Sequence, residues 1–185
     1  MTKKLISLSK KLSHALRHDP GAHGLSVDRE GWASVKAVLT QMCVTREELE
    51  EVVAWNDKRR FSFSDDGSHI RANQGHSIEV DLGLVSVEPP EVLYHGTAER
   101  NITLIQRDGL LKMSRQHVHL SELQETAVSV GTRYGKPVVL TIAARQMHQD
   151  GIEFYQAKNG VWLTDYVDPK YIAFSPATTA SSPPH

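Results

Sequence analysis

The stretch Leu12-Ser13-His14-Ala15-Leu16-Arg17-His18-Asp19-Pro20 ends the first helix, and the N-terminal half of the chain is organised around it. Upstream, Leu5, Leu8, Leu12 and Leu16, with Ile6 and Ala15 beside them, recur at three- and four-residue steps, the repeat of one apolar helical face. Such a face must be buried, so the helix is predicted to stand in a core. Pro20 disfavours helical geometry at Asp19, and Gly21 follows, which puts Arg17 and His18 in or just past the last turn. Two readings of that pair are open. A basic residue at a helix C-terminus complements the macrodipole, an effect of about 0.3–1 kcal/mol. The same dipole favours protonated imidazole, so Arg17 and His18 together can present two positive donors to an anion such as phosphate.

Working outward, Leu25-Ser26-Val27 and Trp32-Ala33 flank Asp28-Arg29-Glu30-Gly31, whose Asp and Gly suit a turn, and a short hairpin is predicted. Ser34 can cap a helix with Val35, Val38, Leu39 and Met42 on one face. Thr45-Arg46-Glu47-Glu48 fits the capping box of a third helix, with Leu49, Val52 and Val53 inward. Phe61-Ser62-Phe63 alternates and faces His69-Ile70-Arg71-Ala72 across Asp65-Asp66-Gly67, a second hairpin. Three helices followed by a hairpin is the order of a winged-helix module. Asn56-Asp57-Lys58-Arg59-Arg60 leads Arg60 into a strand. Asn73-Gln74-Gly75-His76-Ser77 leaves the hairpin as a polar stretch whose glycine allows close backbone approach to a ligand.

Residues 78 to 92 are acidic and contain Pro89-Pro90, the mark of a domain boundary. We therefore expect a first domain over 1–84, a linker over 85–91, a second domain over 92–174, and a disordered tail over 175–185, rich in Ser, Thr, Ala and Pro. The second domain reads mainly as strands: Leu93 to Thr97, Arg115 to Leu120, Val138 to Ile142, Phe154 to Gln156, Val161 to Thr164 and Tyr171 to Phe174. A helix at Ile102 and Ile105 is ended by Gly109, and Ser121 is expected to cap another holding Ala127 and Val130. Alternation places His117 and His119 on one strand face.

With 185 residues, 39% of them hydrophobic, the chain suits one good-sized domain or two small ones. The net charge of −1 gives no global nucleic-acid signature, so any polyanion site must be local. Cys43 is the sole cysteine, which excludes an internal disulfide and a cysteine metal cage. With neither a leader pattern nor a long apolar run, the expectation is a cytoplasmic protein without a membrane partner.

The motifs exclude several chemistries. There is no Gly-rich dinucleotide fingerprint, no P-loop and no Gly-x-Ser-x-Gly elbow. His95, His117 and His119 could share a metal, but no Glu or Cys stands at a matching position, so no metal is expected. What remains is a set of arginines and histidines at structurally fixed positions, Arg17, His18, Arg60, Arg115 and His117, whose guanidinium forks match phosphate oxygens.

On six motifs in one order the chain resembles the RNA 2′-phosphotransferase family over nearly all of residues 3–174. They are Leu16-Arg17-His18, Asp28-Arg29-Glu30-Gly31-Trp32, Asp57-Lys58-Arg59-Arg60-Phe61, Gln74-Gly75-His76-Ser77, His95-Gly96-Thr97 and Arg115-Gln116-His117-Val118-His119-Leu120-Ser121. The resemblance implies an α+β fold, with an N-terminal winged-helix lobe and a C-terminal ADP-ribosyltransferase-like β-sheet lobe. It implies a catalytic set of Arg17, His18, Arg60 and Arg115, NAD contacts at His95, Gly96, Thr97, His117 and Ser121, and RNA-phosphate contacts at Arg59, Gln74 and His76. The implied partners are NAD, consumed as co-substrate, and RNA bearing an internal 2′-phosphate, as at a tRNA splice junction; the protein is expected to be a monomer. The implied reaction passes through a 2′-phospho-ADP-ribosyl RNA intermediate to 2′-OH RNA, nicotinamide and ADP-ribose 1″,2″-cyclic phosphate. Val161-Trp162 stands roughly where many ADP-ribosyltransferases place a catalytic Glu, an absence that suits a phosphomonoester, which is already an anionic nucleophile. Two competitors are ADP-ribosylation of terminal nucleic-acid phosphates and a winged-helix regulator. The second is disfavoured by the acidic helix at Glu47 to Trp55.

Overall fold

The computed structural model describes residues 2–55 and 59–174, so Asn56, Asp57, Lys58 and the predicted tail at 175–185 lie outside the described residues. The chain divides into two compact units. One comprises the residues up to Val85 with Ser114–Gln116 and Ala157–Asn159; the other comprises Ser86–Met113, His117–Gln156 and the residues from Gly160 onward.

In the first unit, helix α1 (Lys3–Arg17) is capped by the Thr2 hydroxyl and buries Leu5, Leu8, Leu12, Ala15 and Leu16. Ile6, expected beside this face, lies at its edge and is 42% exposed. Helix α2 (Val35–Met42) starts at the Ser34 cap, and α3 (Arg46–Ala54) starts at a complete capping box between Thr45 and Glu48. Strands β1 (Ala33–Ser34), β2 (Phe61–Phe63) and β3 (His69–Ala72) form an antiparallel sheet in the order β1-β3-β2. Its buried residues Ala33, Phe61, Ile70 and Ala72 complete one core with Leu12, Leu16, Val38, Leu49 and Val52.

The predicted β2–β3 hairpin is present, with Phe61 opposite Ala72 and Phe63 opposite Ile70. The hairpin predicted around Asp28 is reduced to one bridge, Val27 to Ala33. The Asp28 carboxylate accepts from the Glu30 and Trp32 amides, which closes the turn, and Ala33 pairs instead with Ile70 of β3, where both side chains are buried.

The second unit holds β4 (Leu93–Ala98), α4 (Ile102–Asp108), β5 (Leu110–Leu111), β6 (Val118–Leu120), α5 (Gln124–Gly131), β7 (Pro137–Ile142), α6 (Ala144–Gln149), β8 (Tyr155–Gln156), β9 (Trp162–Thr164), β10 (Tyr166–Val167) and β11 (Ile172–Phe174). Its sheets run β11-β7-β4, β6-β9-β8 and β10-β5, every pairing antiparallel. A bridge between Tyr94 and Ser121 links the first two. Leu93, Leu140, Ile142, Met147, Phe154 and Trp162 lie in its core. The protein is thus a mixed helix-and-sheet structure with several small antiparallel sheets.

Three local expectations are corrected. The strand predicted over Arg115 to Leu120 begins only at Val118, because Gln116 is bonded away within the first unit, as described below. Ser121 exchanges backbone bonds with Tyr94 rather than capping a helix, and α5 begins after Leu123 without a side-chain cap. Helix α6 was not foreseen; it is six residues long, has no side-chain cap and buries only Ala144 and Met147, so its sequence carries little helical signal. Among the described residues no helix is long and apolar enough to cross a membrane.

Candidate active site

The C-terminal end of α1 meets the polar segment that leaves β3. The His18 amide closes the helix on the His14 carbonyl at 2.9 Å. The Arg17 carbonyl then accepts from the amides of Ser77 at 2.9 Å and Ile78 at 3.4 Å, so the orphan end of the helix is satisfied by this segment. Ser77 Oγ and His18 Nδ1 share a hydrogen bond of 2.9 Å. Gly75, at φ +86, lets the backbone turn between Asn73 and Ser77.

The same segment gathers two further parts of the chain. Gln116 donates its amide to the His76 carbonyl at 3.2 Å and its side chain to the Val80 carbonyl at 2.9 Å, which brings in Arg115. Upstream, Asn73 Nδ2 donates to the Arg59 carbonyl at 2.6 Å, its backbone amide donates to the Arg60 carbonyl at 2.8 Å, and its Oδ1 accepts from Ser62 Oγ at 2.8 Å. Arg59 is thereby held at φ +39, a left-handed conformation that L side chains rarely adopt. Residues 73–80 therefore connect the chain at 17–18, 59–62 and 115–116.

The electrostatics follow from that convergence. Burial, then the charges of Arg60 and Arg115, lower the Arg17 pKa to about 10. Burial, then the neighbouring His14, Arg17 and Arg115, hold His18 below the usual histidine range. His76 is only 1% exposed. Its pKa falls to about 4 through burial and then through Arg17, His18 and Arg71, so at neutral pH it is a neutral imidazole inside the wall of the site. Arg17 Nε and Nη2, Gln74 Oε1 and both ring nitrogens of His76 are buried without a hydrogen-bond partner among the described residues. Guanidinium N–H groups buried among like charges are stabilised by an anion and by little else. That is the fit expected of a phosphate group.

The remaining predicted residues lie in the second unit and make a different arrangement. His95 Nδ1 donates to the His119 carbonyl at 3.0 Å, which orients the ring. His117 stacks edge-on against Tyr155, with centroids 5.7 Å apart, and its Nε2 stands 3.9 Å from Asp165. Burial outweighs that carboxylate and lowers the His117 pKa. Ser121 is engaged through its backbone with Tyr94. Gly96 and Thr97 have packing work to do: a Cβ on Gly96 would stand 1.7 Å from the Ala127 carbonyl oxygen of α5, and the buried Thr97 hydroxyl accepts from Asn101 at 3.1 Å.

Asn73, Ser77 and Gln116 were not predicted as site residues, yet they orient the groups that were. Their one sequence signal is position: each lies within or next to a motif that supplies predicted site residues.

Residues 3–166 match the family described as RNA 2'-phosphotransferase, Tpt1 / KptA family. Similar curated proteins agree in name. A probable RNA 2'-phosphotransferase of Acaryochloris marina is 49% identical over 178 residues, covering 92% of this chain and 97% of its own. One from Nostoc punctiforme is 51% identical over 174 residues, covering 91% and 96%. One from Agrobacterium fabrum is 50% identical over 179 residues, covering 94% and 96%. A family match over residues 3–166, together with relatives of about 50% identity over most of the chain, leaves one assignment: the chain belongs to the RNA 2'-phosphotransferase, Tpt1 / KptA family.

Proposed function

We propose that the protein removes the 2′-phosphate from RNA and does so with NAD as co-substrate, the two units corresponding to a winged-helix lobe and an ADP-ribosyltransferase-like lobe. The observation that carries the reading is the gathering of His18, Arg60 and Arg115, distant in sequence, into electrostatic reach of Arg17, whose own buried Nε and Nη2 are left for an anion. No catalytic metal is required for this scheme, and the protein acts as a monomer in the cytoplasm.

The three guanidinium groups hold the RNA 2′-phosphate and His18 donates to one of its oxygens, while Arg59 and Gln74 stand at the margin of the phosphate site. Burial and cationic neighbours hold His18 below the usual histidine range, and a phosphate dianion among them acts in the opposite direction, so phosphate binding favours proton uptake by His18. The RNA phosphate displaces nicotinamide at C1″ of the nicotinamide riboside, giving 2′-phospho-ADP-ribosyl RNA. Phosphorus then passes to the ribose O2″. The 2″-hydroxyl releases its proton to solvent as its oxygen bonds to phosphorus, the RNA 2′-oxygen leaves and takes the His18 proton, and ADP-ribose 1″,2″-cyclic phosphate is released. Negative charge builds on phosphorus in this second step, where preorganised cations act most strongly. His95, its ring oriented by the bond to the His119 carbonyl, would contact NAD, with His117 and Ser121 beside it and Gly96 and Thr97 shaping the strand that carries it.

The test is incubation with NAD and a short oligoribonucleotide bearing one internal 2′-phosphate, without added metal, followed by mass spectrometry. The expected products are 2′-OH RNA, nicotinamide and a cyclic phosphate of ADP-ribose. Release of inorganic phosphate without NAD consumption would overturn the NAD reading; an ADP-ribosylated RNA that persists would confine the protein to the first step.

A further inference from the structure

Every charged side chain on the solvent side of α1 is cationic, with Ile6 and Ser7 exposed among them. Residues Lys3 to Arg17 contain no Asp or Glu. Opposite the buried Leu5, Leu12 and Leu16, the helix presents the exposed Lys3, Lys10 and His14, flanked by Lys11 and His18, and the same line ends at the partly buried Arg17. Lys3, Lys10 and Arg17 recur every seven positions, so at about 100° per residue they fall within about 40° of one another, and at about 1.5 Å per residue they span about 21 Å. Lys3, Lys10, Lys11 and His14 are all exposed. Lys4, to one side of this stripe, pairs with Glu48 of α3; among the described residues no ion pair engages Lys3, Lys10 or Lys11.

Local helix energetics do not account for the pattern. Lys3 and Lys4 occupy the first turn, where the dipole disfavours cations. Lys10 and His14 stand four apart, where like charges repel whenever the imidazole is protonated. A net charge of −1 leaves ample acidic residues elsewhere in the chain, yet none alternates with these. One-sign stripes of this kind are explained by a polyanion laid along them.

We propose that the stripe is a track for the RNA backbone flanking the 2′-phosphate, running from Arg17 back along α1 to Lys10 and Lys3. This rests on the reading that Arg17 and His18 hold that phosphate. A strand fixed there has further phosphates within reach of the helix, and neutralising them releases counterions. Contacts of this type carry no base information, so the track selects for RNA length on that side of the phosphate, not for sequence.

The test compares a 2′-phosphorylated trinucleotide with a single-stranded RNA extending more than about 21 Å beyond the phosphate on either side, using the Lys3→Gln/Lys10→Gln protein. Expected are a raised KM for the long RNA, an unchanged KM for the trinucleotide and an unchanged kcat for both. Binding of the long strand without its 2′-phosphate, followed by fluorescence anisotropy, should lose about 1.4 from its log–log salt slope, about 0.7 for each phosphate contact removed. Equal loss on both RNAs would mean that the lysines act through the fold, and an unmoved long-RNA KM and salt slope would mean that no strand lies there; either result overturns the track. So would the same shift from Lys136→Gln/Lys170→Gln, the same charge change placed in the second unit. A parent protein that turns over neither RNA would instead overturn the functional reading, while the anisotropy arm still decides the track.

Discussion

Asn73 is the residue on which the geometry of Arg60 depends, although nothing in its chemistry marks it for catalysis. It is 6% exposed, donates to the Arg59 and Arg60 carbonyls and accepts from Ser62, so the start of β2 has its position, and Arg59 its left-handed backbone, from one amide side chain and its own backbone N–H. On the proposed role of Arg60 in holding the RNA phosphate, where small displacements are costly, Asn73→Ala should lower kcat/KM by about a hundredfold. Because the effect runs through Arg60, the same change made in Arg60→Ala protein should cost nothing further. Steady-state kinetics on the two single variants and the double variant check this: additive losses would show that Asn73 acts elsewhere. Ser77 has the corresponding part at His18, where its hydroxyl shares a hydrogen bond with one ring nitrogen and orients the ring.

Among the elements, α1 works as a post. Its apolar face is fully buried along Leu12, Ala15 and Leu16, and its last turn is closed by residues 77 and 78, so Arg17 moves only if the core moves. In the second unit the close element pair is β4 and α5, which meet where Gly96 has no side chain. A methyl group there would collide with the backbone of Ala127, which cannot swing aside as a long side chain can. Gly96→Ala should therefore destabilise the protein by about 1–3 kcal/mol or more, measured as a lowered urea midpoint at unchanged m. A midpoint within error of the parent would mean that α5 is free to lift from the strand.

At the scale of the whole molecule, His76 makes stability depend on pH. Burial, with Arg17, His18 and Arg71 around it, holds its pKa at about 4 in the folded protein, against about 6.5 in an unfolded chain. Between those values the unfolded state binds more protons, so the neutral imidazole's contribution is fully present above about pH 6.5 and is lost as pH falls toward about 4. From pH 7 to pH 5 this amounts to about 2 kcal/mol. Urea unfolding at the two pH values should show that loss, and His76→Gln, which does not titrate, should reduce it by that amount; an identical pH dependence in the variant would mean that other groups set it.

The sequence by itself determined the parts that repeat or terminate locally. The leucine period of α1, the Ser34 and Thr45 caps, the β2–β3 hairpin and the Gly109 stop each concern residues a few positions apart, where side-chain chemistry and backbone geometry are directly linked. The motifs were also enough to point to the family. Only the tertiary structure decided that Gln116 bonds to the segment after β3 instead of extending β6, that Asn73 holds the backbone of Arg59 and Arg60, and that the His76 ring is buried and neutral. The physical reason is range. Those bonds join residues tens of positions apart, through backbone carbonyls that every residue possesses, so no period or composition in the chain announces them.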